Sequence, residues 1–150
     1  MPEIRELPEG ETHRAARALL ELRPHRAPAE TLVALADGQR SAGYRLLGSF
    51  EPGEEEAAAV AGFRVMETLA WGRMLYVDDL VTCADRRGRG HGGALMRWLA
   101  VQACRAGCEQ LHLDSGVGAE REDAHRLYFN AGLRISSYHF QRAVGGGEDR

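Results

Sequence analysis

The chain has 150 residues, of which 44% are hydrophobic and 27% are charged, the composition of one soluble globular domain. All 19 of its Lys+Arg residues are arginine, and its formal charge at pH 7 is −3. This slightly acidic balance argues against a general polyanion binder, so we expect no nucleic-acid partner. The N-terminal sequence lacks a signal-peptide pattern, and no apolar run approaches the roughly 20 residues that span a bilayer. We therefore expect a cytoplasmic protein with no membrane partner.

The predicted elements follow the order β-α-α-β-β-β-α-β-α-β. Six segments have the pattern of strands: 4–7, 42–50, 57–67, 74–82, 109–114 and 133–144. Four have the pattern of amphipathic helices: 11–22, 29–38, 92–106 and 121–131. The acidic Pro-Gly segment 51–56 predicts a solvated hairpin tip. We therefore expect one mixed α/β domain over 1–144 and a disordered tail over 145–150.

A loop rich in arginine and glycine joins the strand over 74–82 to the helix that follows it. Its sequence is R-R-G-R-G-H-G-G, residues 86–93, and we name it the glycine loop. Glycines let several backbone amides converge on one anion, and the positive end of a helix dipole favours a phosphate there. Neighbouring arginines can add charge-assisted hydrogen bonds. The loop therefore predicts a phosphate-binding site.

Two phosphate-binding motifs fit the glycine loop. Gly88-x-Gly90-x-x-Gly93 matches the dinucleotide fingerprint. Three features disfavour that motif, because five residues separate the strand from the first glycine, only the 57 residues 94–150 follow the last one, and antiparallel strands precede it. The other motif is Arg87-x-x-Gly90-x-Gly92.

This second motif resembles that of the GNAT superfamily of acyl-CoA-dependent N-acyltransferases, which is [Q/R]-x-x-G-x-[G/A] between the fourth strand and the third helix. The strand L-Y-V-D-D-L-V-T (75–82) and the pattern A-x-x-L-Y-x-x-x-G-L (124–133) also lie in family order. The resemblance is close over 74–133 and covers 1–73 by element order alone. It implies an α/β GNAT-like fold, with a mostly antiparallel mixed sheet of six to seven strands, a splayed parallel pair and about four helices.

The resemblance also implies an enzyme that uses acetyl-CoA and no metal. The acetyl group would pass to a primary amine by direct attack through a tetrahedral intermediate. The cofactor's pantetheine arm would pair with the exposed strand before the glycine loop, and N–H groups near Leu80 and Val81 would be oxyanion donors worth about 3 kcal/mol each. The implied cofactor-binding residues are Leu80, Val81, Thr82, Arg87, Gly88, Arg89, Gly90, His91, Gly92 and Gly93.

Tyr128 is the candidate general acid. With Ala124, Leu127 and Ala131 it forms an i, i+3, i+4, i+7 stripe, so its ring is expected to point inward. A tyrosine phenol is ordinarily protonated at neutral pH and can donate a proton to a departing thiolate. Periodicity alone favours a core tyrosine, whereas the resemblance implies the catalytic role.

Asp78 and Asp79 lie in the middle of a predicted strand, where carboxylates are rare, and are expected to point to opposite faces. Y-V-D-D-L-V is similar to the Y-x-E-D-x-x segment of diamine acetyltransferases. That similarity implies that Asp78 is the water-linked base and that Asp79 holds the substrate ammonium; alternatively, one of them only pairs with an arginine. Glu67 is the alternate base. Trp71 and the loop 23–28 match the family's acceptor pocket in position.

Several alternatives stay open. A small cationic amine is the first expected acceptor, and a protein N-terminus or lysine is the second. The family often forms homodimers. A non-catalytic acyl-CoA sensor, or an RNA-binding module built on Arg86, Arg87 and Arg89, would be a different class of protein, and the aromatic content of 7% disfavours RNA binding. Arg121 stands where many family members have Asn, and could reach a phosphate.

Overall fold

The computed structural model describes residues 1–145, and within them five strands form one sheet in the order β1-β2-β3-β4-β5. The strands are β1 (Glu3–Leu7), β2 (Arg45–Phe50), β3 (Ala59–Thr68), β4 (Gly72–Thr82) and β5 (Gln110–Leu113). Neighbours pair antiparallel from β1 to β4, whereas β4 and β5 are parallel. The expected mixed, mostly antiparallel sheet with one parallel pair is confirmed.

The same residues contain four α-helices and several short 3-10 turns. The helices are α1 (Ala16–Leu22), α2 (Ala29–Gly38), α3 (His91–Arg105) and α4 (Glu122–Asn130). The expectation of about four helices is confirmed. Within residues 1–145 none of the helices combines the length and the apolar character needed to traverse a bilayer.

The core lies on both faces of the sheet because side chains alternate along each strand. Leu46 packs under α1 and α2, in a cluster that includes Leu19, Leu32 and Val60. The next residue, Leu47, packs on the opposite face under α3, in a cluster that includes Phe63, Leu75 and Leu95. Both leucines are fully buried, and burial of a leucine side chain contributes about 1.5–3 kcal/mol.

The sheet opens between β4 and β5. Their ladder runs from Met74 opposite Gln110 to Val77 opposite Leu113, and β4 then continues to Thr82 paired with β3 but not with β5. The β3–β4 register shifts at the same level, so that Asp78 is an extra, bulged residue of β4. A bulge increases local twist and bends its strand, which separates the end of β4 from β5.

The predicted strand over 133–144 is wrong, and the sheet has five strands rather than six to seven. This segment has no regular secondary structure, and its apolar side chains Ile135, Tyr138 and Phe140 are exposed. A strand-like pattern forms a strand only where a neighbour accepts its backbone hydrogen bonds, and the edge strand β5 has only four residues. Apart from Gly145, the predicted tail lies outside the described residues.

Candidate active site

A cavity of about 360 Å3 lies where β4 separates from β5. Its walls come from the end of α1, the C-terminal half of β4, the segment after β5 and α4. Three of the predicted site residues line it together: Asp78, Leu80 and Tyr128. Arg23 and Arg121 line it as well. The structure therefore brings the candidate base, the candidate acid and the free part of β4 to one place.

Leu80, Val81 and Thr82 lie beyond the last β4–β5 pair. On the β3 side they pair with Ala61, Val60 and Ala59, respectively, and within the described residues no strand pairs with their other side. Buried backbone N–H and C=O groups need hydrogen-bond partners. The free edge of β4 is therefore suited to an extended ligand that carries amide groups.

The glycine loop adopts a backbone that needs glycine at two positions. Gly88 has φ 77° and Gly90 has φ 89°, in the left-handed region that side-chain-bearing residues rarely adopt. Gly90 is the N-cap of the 15-residue helix α3, and no side chain within residues 1–145 caps the N-terminus of that helix. The first amides of α3, at His91, Gly92 and Gly93, are therefore available to an anion, and the helix dipole favours one.

The three arginines of the glycine loop differ in their partners. Arg87 is exposed, and none of the ion pairs or side-chain hydrogen bonds found within residues 1–145 involves it. Arg86 contacts Glu51 at 3.3 Å and Glu54 at 3.0 Å, and Arg89 contacts Glu51 at 2.8 Å. Arg87 is thus the arginine that can bind a phosphate without first leaving a carboxylate.

The side chain of His91 lies in the core rather than at the anion-binding side of the loop. It is 2% exposed; its Nδ1 lies 2.7 Å from Ser49 Oγ and its Nε2 lies 3.1 Å from Glu51 Oε2. The contacts with His91 and Arg89 lower the pKa of Glu51. Only the backbone of His91 is available to bind an anion. The 51–56 segment, predicted to be a solvated tip, instead contacts the glycine loop through Glu51 and Glu54.

Arg64 on β3 neutralises Asp78. Arg64 Nε lies 3.1 Å from Asp78 Oδ1 and Nη2 lies 2.8 Å from Oδ2, so both carboxylate oxygens are occupied. Burial raises the pKa of Asp78, and Arg64 partly opposes that rise. A carboxyl group with a raised pKa is a stronger base once ionised, which suits a general base.

Asp79 is also neutralised, by Arg23 and Tyr44. Arg23 Nε donates to Asp79 Oδ1 at 3.0 Å, and the Tyr44 hydroxyl donates to Oδ2 at 2.8 Å. Burial and the charge of Asp79 raise the pKa of Tyr44, which keeps this phenol a donor. Tyr44 occupies the space that a side chain at residue 62 would need, so Gly62 is required there. Asp79 is therefore compensated in charge by Arg23 and hydrogen-bonded at both oxygens, which disfavours it as the anchor of an ammonium group.

Tyr128 is 8% exposed and points into the cavity. Its hydroxyl receives one side-chain hydrogen bond within residues 1–145, from Arg121 Nη2 at 3.5 Å. A tyrosine that served only to fill the core would be expected to donate its hydroxyl to a backbone carbonyl, and no such bond is found within residues 1–145. The hydroxyl is therefore weakly held and can act on a ligand in the cavity.

The segment after β5 is fixed by a histidine of α4. His125 Nε2 donates to the Gly116 carbonyl at 2.8 Å and lies 3.1 Å from Ser115 Oγ. Ser115 and Gly116 line the cavity. His125 thus stabilises the loop that forms this wall of the cavity.

Glu67 and Trp71 lie at the other end of the β3–β4 hairpin. Glu67 is paired with Arg73, its side chain is 76% exposed, and Trp71 stacks on His112 with 4.2 Å between the ring centroids. Trp71 lies more than five strand residues from Val77, a separation of about 17 Å or more. Neither side chain lines the cavity, so the structure does not bring the alternate base or the predicted acceptor-pocket tryptophan to the candidate site.

Three residues of the site were not predicted from the sequence: Arg23 as a partner of Asp79, Tyr44 and Arg64. Each contacts an aspartate that is 14 to 56 residues away along the chain. The sequence offered one signal for these partners: two aspartates in the middle of a strand are expected to need positively charged or hydrogen-bonding partners when they are buried. Which of the arginines would do so depends on the sheet register and on the end of α1.

Comparison with known proteins places this geometry in a family. The sequence model of the acetyltransferase (GNAT) family matches residues 3–132. An uncharacterized N-acetyltransferase, YhdJ, of Bacillus subtilis (strain 168) is 39% identical over 74 residues, covering 49% of this chain and 51% of that protein. An aminoalkylphosphonate N-acetyltransferase of Salmonella typhimurium is 32% identical over 68 residues, covering 45% and 43%. The match thus spans about half the length of each of these relatives.

Solved structures show the same fold. A ribosomal-protein-alanine N-acetyltransferase from Brucella melitensis biovar Abortus 2308 has a TM-score of 0.81 at 21% identity, covering 97% of this chain and 100% of that chain. An aminoglycoside N-acetyltransferase, solved in complex with CoA, has a TM-score of 0.76 at 13% identity, covering 96% and 95%. The family match over most of the chain, together with the opened parallel strand pair and the glycine loop, shows that this chain belongs to the GNAT acetyltransferase family.

Proposed function

We propose that this protein transfers the acetyl group of acetyl-CoA to the nitrogen of a small primary amine. The observation that carries the proposal is the opening between β4 and β5, beside the glycine loop, with Asp78 and Tyr128 in the same cavity. A thioester held along the free edge of β4 would lie between a base and an acid. That is the arrangement that amide formation at a thioester requires.

The residues present fit acetyl-CoA. The uncapped N-terminus of α3 and the left-handed glycines form a cradle for a pyrophosphate, and Arg87 is free to contact it. The unpaired edge over Leu80, Val81 and Thr82 would hold the pantetheine amides. When bound, acetyl-CoA supplies an activated acetyl thioester.

Groups of this chain would then transfer the protons and stabilise the negative charge that develops during the reaction. Asp78 would accept a proton from the acceptor ammonium through a water, leaving a neutral amine that forms the new C–N bond. Backbone N–H groups near Leu80 and Val81 would stabilise the carbonyl oxygen as charge develops on it. Tyr128 would donate its proton to the departing sulfur as the C–S bond breaks, and it would regain a proton from the newly bonded nitrogen, which becomes a neutral amide.

The acceptor is proposed to be a small amine rather than a protein. One curated relative is named for aminoalkylphosphonates, which are small amines. The cavity volume of about 360 Å3 also suits a small molecule, because ligand pockets commonly measure about 300–1,000 Å3.

The test is a panel of small amines and short peptides incubated with acetyl-CoA, with thiol release as the rate measurement and mass spectrometry of the acetylated product. We expect turnover with at least one small amine and a product heavier by one acetyl group. Tight CoA binding without turnover of any acceptor would overturn the proposal in favour of an acyl-CoA sensor. Turnover confined to peptides would identify a protein acceptor instead.

A further inference from the structure

The two aspartates of β4 are each paired with an arginine, so they do not by themselves favour a cationic acceptor. Asp78 and Asp79 carry two negative charges, and Arg64 and Arg23 cancel them through contacts of 2.8 to 3.1 Å. Because each carboxylate already has a guanidinium partner, its attraction for a substrate ammonium group is partly offset. A second ammonium on the substrate would also be repelled by Arg23.

Arg23 has donors left over. A guanidinium group has five N–H donors, and Arg23 uses Nε for Asp79 and Nη2 for the Asp78 carbonyl at 3.0 Å. Within the described part of the chain, Nη1 makes no hydrogen bond. The side chain is 42% exposed and lines the cavity. An anionic group could therefore bind Arg23 without breaking either of its present contacts.

The residues after Arg23 add one more cation. In the 3-10 turn Pro24–Arg26 the side chain of Arg26 is exposed. Two acids that line the cavity already accept hydrogen bonds from the protein. Glu21 accepts one from the Ala84 N–H at 2.9 Å, and Asp114 accepts one from the Tyr76 hydroxyl. At the end of α1 the cavity therefore offers the unused donors of Arg23 beside the charged carboxylate of Glu21.

We infer that the acceptor is an amine that also carries an oxyanion, a carboxylate or a phosphonate, and that Arg23 is the residue that selects it. This inference rests on the proposed acetyl transfer and specifies its substrate class. The oxyanion would bind the free donors of Arg23. The amine of the same molecule would then lie toward Asp78 and Tyr128, deeper in the cavity.

The experiment compares acceptors of one length that differ in charge. β-Alanine and β-alaninamide differ only in the anion, 2-aminoethylphosphonate replaces the carboxylate with a phosphonate, and 1,3-diaminopropane replaces it with a cation. Values of kcat/KM come from thiol release, and calorimetry measures acceptor binding to the protein saturated with CoA. Each is measured for the unaltered protein, Arg23→Gln, Arg23→Lys and the control Arg126→Gln, whose arginine pairs with Asp123 on the exposed face of α4.

We expect at least one anionic amine to exceed β-alaninamide by 10-fold or more in kcat/KM, and the diamine to be the poorest acceptor. Arg23→Gln should lower that ratio at least 5-fold, Arg23→Lys should restore part of it, and Arg126→Gln should leave it unchanged. A ratio between two substrates does not depend on how much of a variant is folded, so partial unfolding of Arg23→Gln does not obscure the result.

Preference for the amide or the diamine, or an unchanged ratio in Arg23→Gln, would overturn the inference while leaving acetyl transfer intact. If no amine releases thiol, acetyl transfer fails and calorimetry decides the substrate class. Tighter binding of the anionic amines that is lost in Arg23→Gln would then support the oxyanion site. Equal binding of all the amines would contradict it.

Discussion

Arg64 on β3 holds both carboxylate oxygens of Asp78, the bulged residue of β4. The same guanidinium donates to Gln39 Oε1 at 2.9 Å, so one arginine joins the end of α2 to the two central strands. Burial and ion pairing act on Asp78 in opposite directions, since burial raises its pKa and Arg64 lowers it. Arg64 therefore affects both the stability of the opened sheet and the basicity of the candidate base.

Removing Arg64 should destabilise the fold. In Arg64→Gln the half-buried Asp78 carboxylate loses its charged partner, which should lower the free energy of unfolding by about 1–3 kcal/mol. Urea unfolding monitored by tryptophan fluorescence measures the change. The control is Arg126→Gln, because the Arg126–Asp123 pair is exposed and such pairs contribute about 0–1 kcal/mol. Equal losses in the two variants would show that the Arg64–Asp78 pair is no more than a surface contact.

The raised pKa of Asp78 should appear in the pH dependence of the reaction. The base must be ionised, so kcat/KM should fall as the pH is lowered through a pKa above that of an ordinary aspartate. Asp78→Asn should lower the rate and remove this acidic limb, and Arg64→Gln should move the limb to higher pH. A limb that stays in place in Asp78→Asn would assign the base to another group.

Ionisation of Asp78 should also affect folding stability, but its contribution to the free energy of unfolding should decrease with rising pH, whereas kcat/KM increases. Because the folded pKa of Asp78 is raised, the folded chain binds its proton more tightly than the unfolded chain. Its contribution is present at low pH and is lost as the pH rises from the ordinary value through the raised pKa. The difference in unfolding free energy between the unaltered protein and Asp78→Asn, measured across that range, should therefore change in favour of Asp78→Asn as the pH increases.

Tyr128→Phe tests the proton donor. The phenylalanine keeps the buried ring, so folding should be nearly unaffected, whereas loss of the hydroxyl should lower kcat at least about 10-fold. CoA affinity, measured by calorimetry, should be almost unchanged because the hydroxyl's one side-chain contact within the described residues is with Arg121. Normal turnover in this variant would rule out Tyr128 as the general acid.

Arg87→Ala tests the phosphate assignment of the glycine loop. Because Arg87 has no competing partner in the described chain, its loss should weaken CoA binding by about 1.5–3 kcal/mol, the range for hydrogen bonds to charged groups. Arg89→Ala is the matched comparison and should weaken binding less, since Arg89 contacts Glu51. The two affinities come from calorimetric titration with CoA. A larger effect at Arg89 would mean that Arg89 leaves Glu51 when CoA binds.

The sequence predicted the parts of the molecule that depend on neighbours in the chain. The strand pattern in 74–82 and the helical spacing after the glycine loop are local, and both elements form where expected. These elements follow from backbone periodicity, which a single chain displays directly. The resemblance to the GNAT family, rather than periodicity, implied the roles of Asp78 and Tyr128, and both residues line the cavity.

The contacts that were missed depend on tertiary structure. His91 stands in a glycine-rich motif but is buried because the β2–β3 hairpin folds over it and supplies Ser49 and Glu51. Glu67 has the right chemistry for a base, but the hairpin register places it opposite Arg73. The segment 133–144 has a strand pattern without a strand partner. In each case a partner distant in sequence decides the outcome.

The C-terminal end of β4, which lacks a neighbour on the β5 side among the described residues, has a consequence for how the sequence of the protein can vary. Its hydrogen-bonding groups between residues 78 and 82 belong to the main chain, so every side chain compatible with an extended conformation leaves them in place. Alanine scanning of Val81 or Thr82 would therefore underestimate what this stretch contributes to ligand binding. Proline at a position whose N–H faces the ligand would remove such a group. Side chains along this edge can therefore vary without removing its main-chain groups, within the limits set by the contacts of Asp78 and Asp79 and by the packing of Val81 on the core.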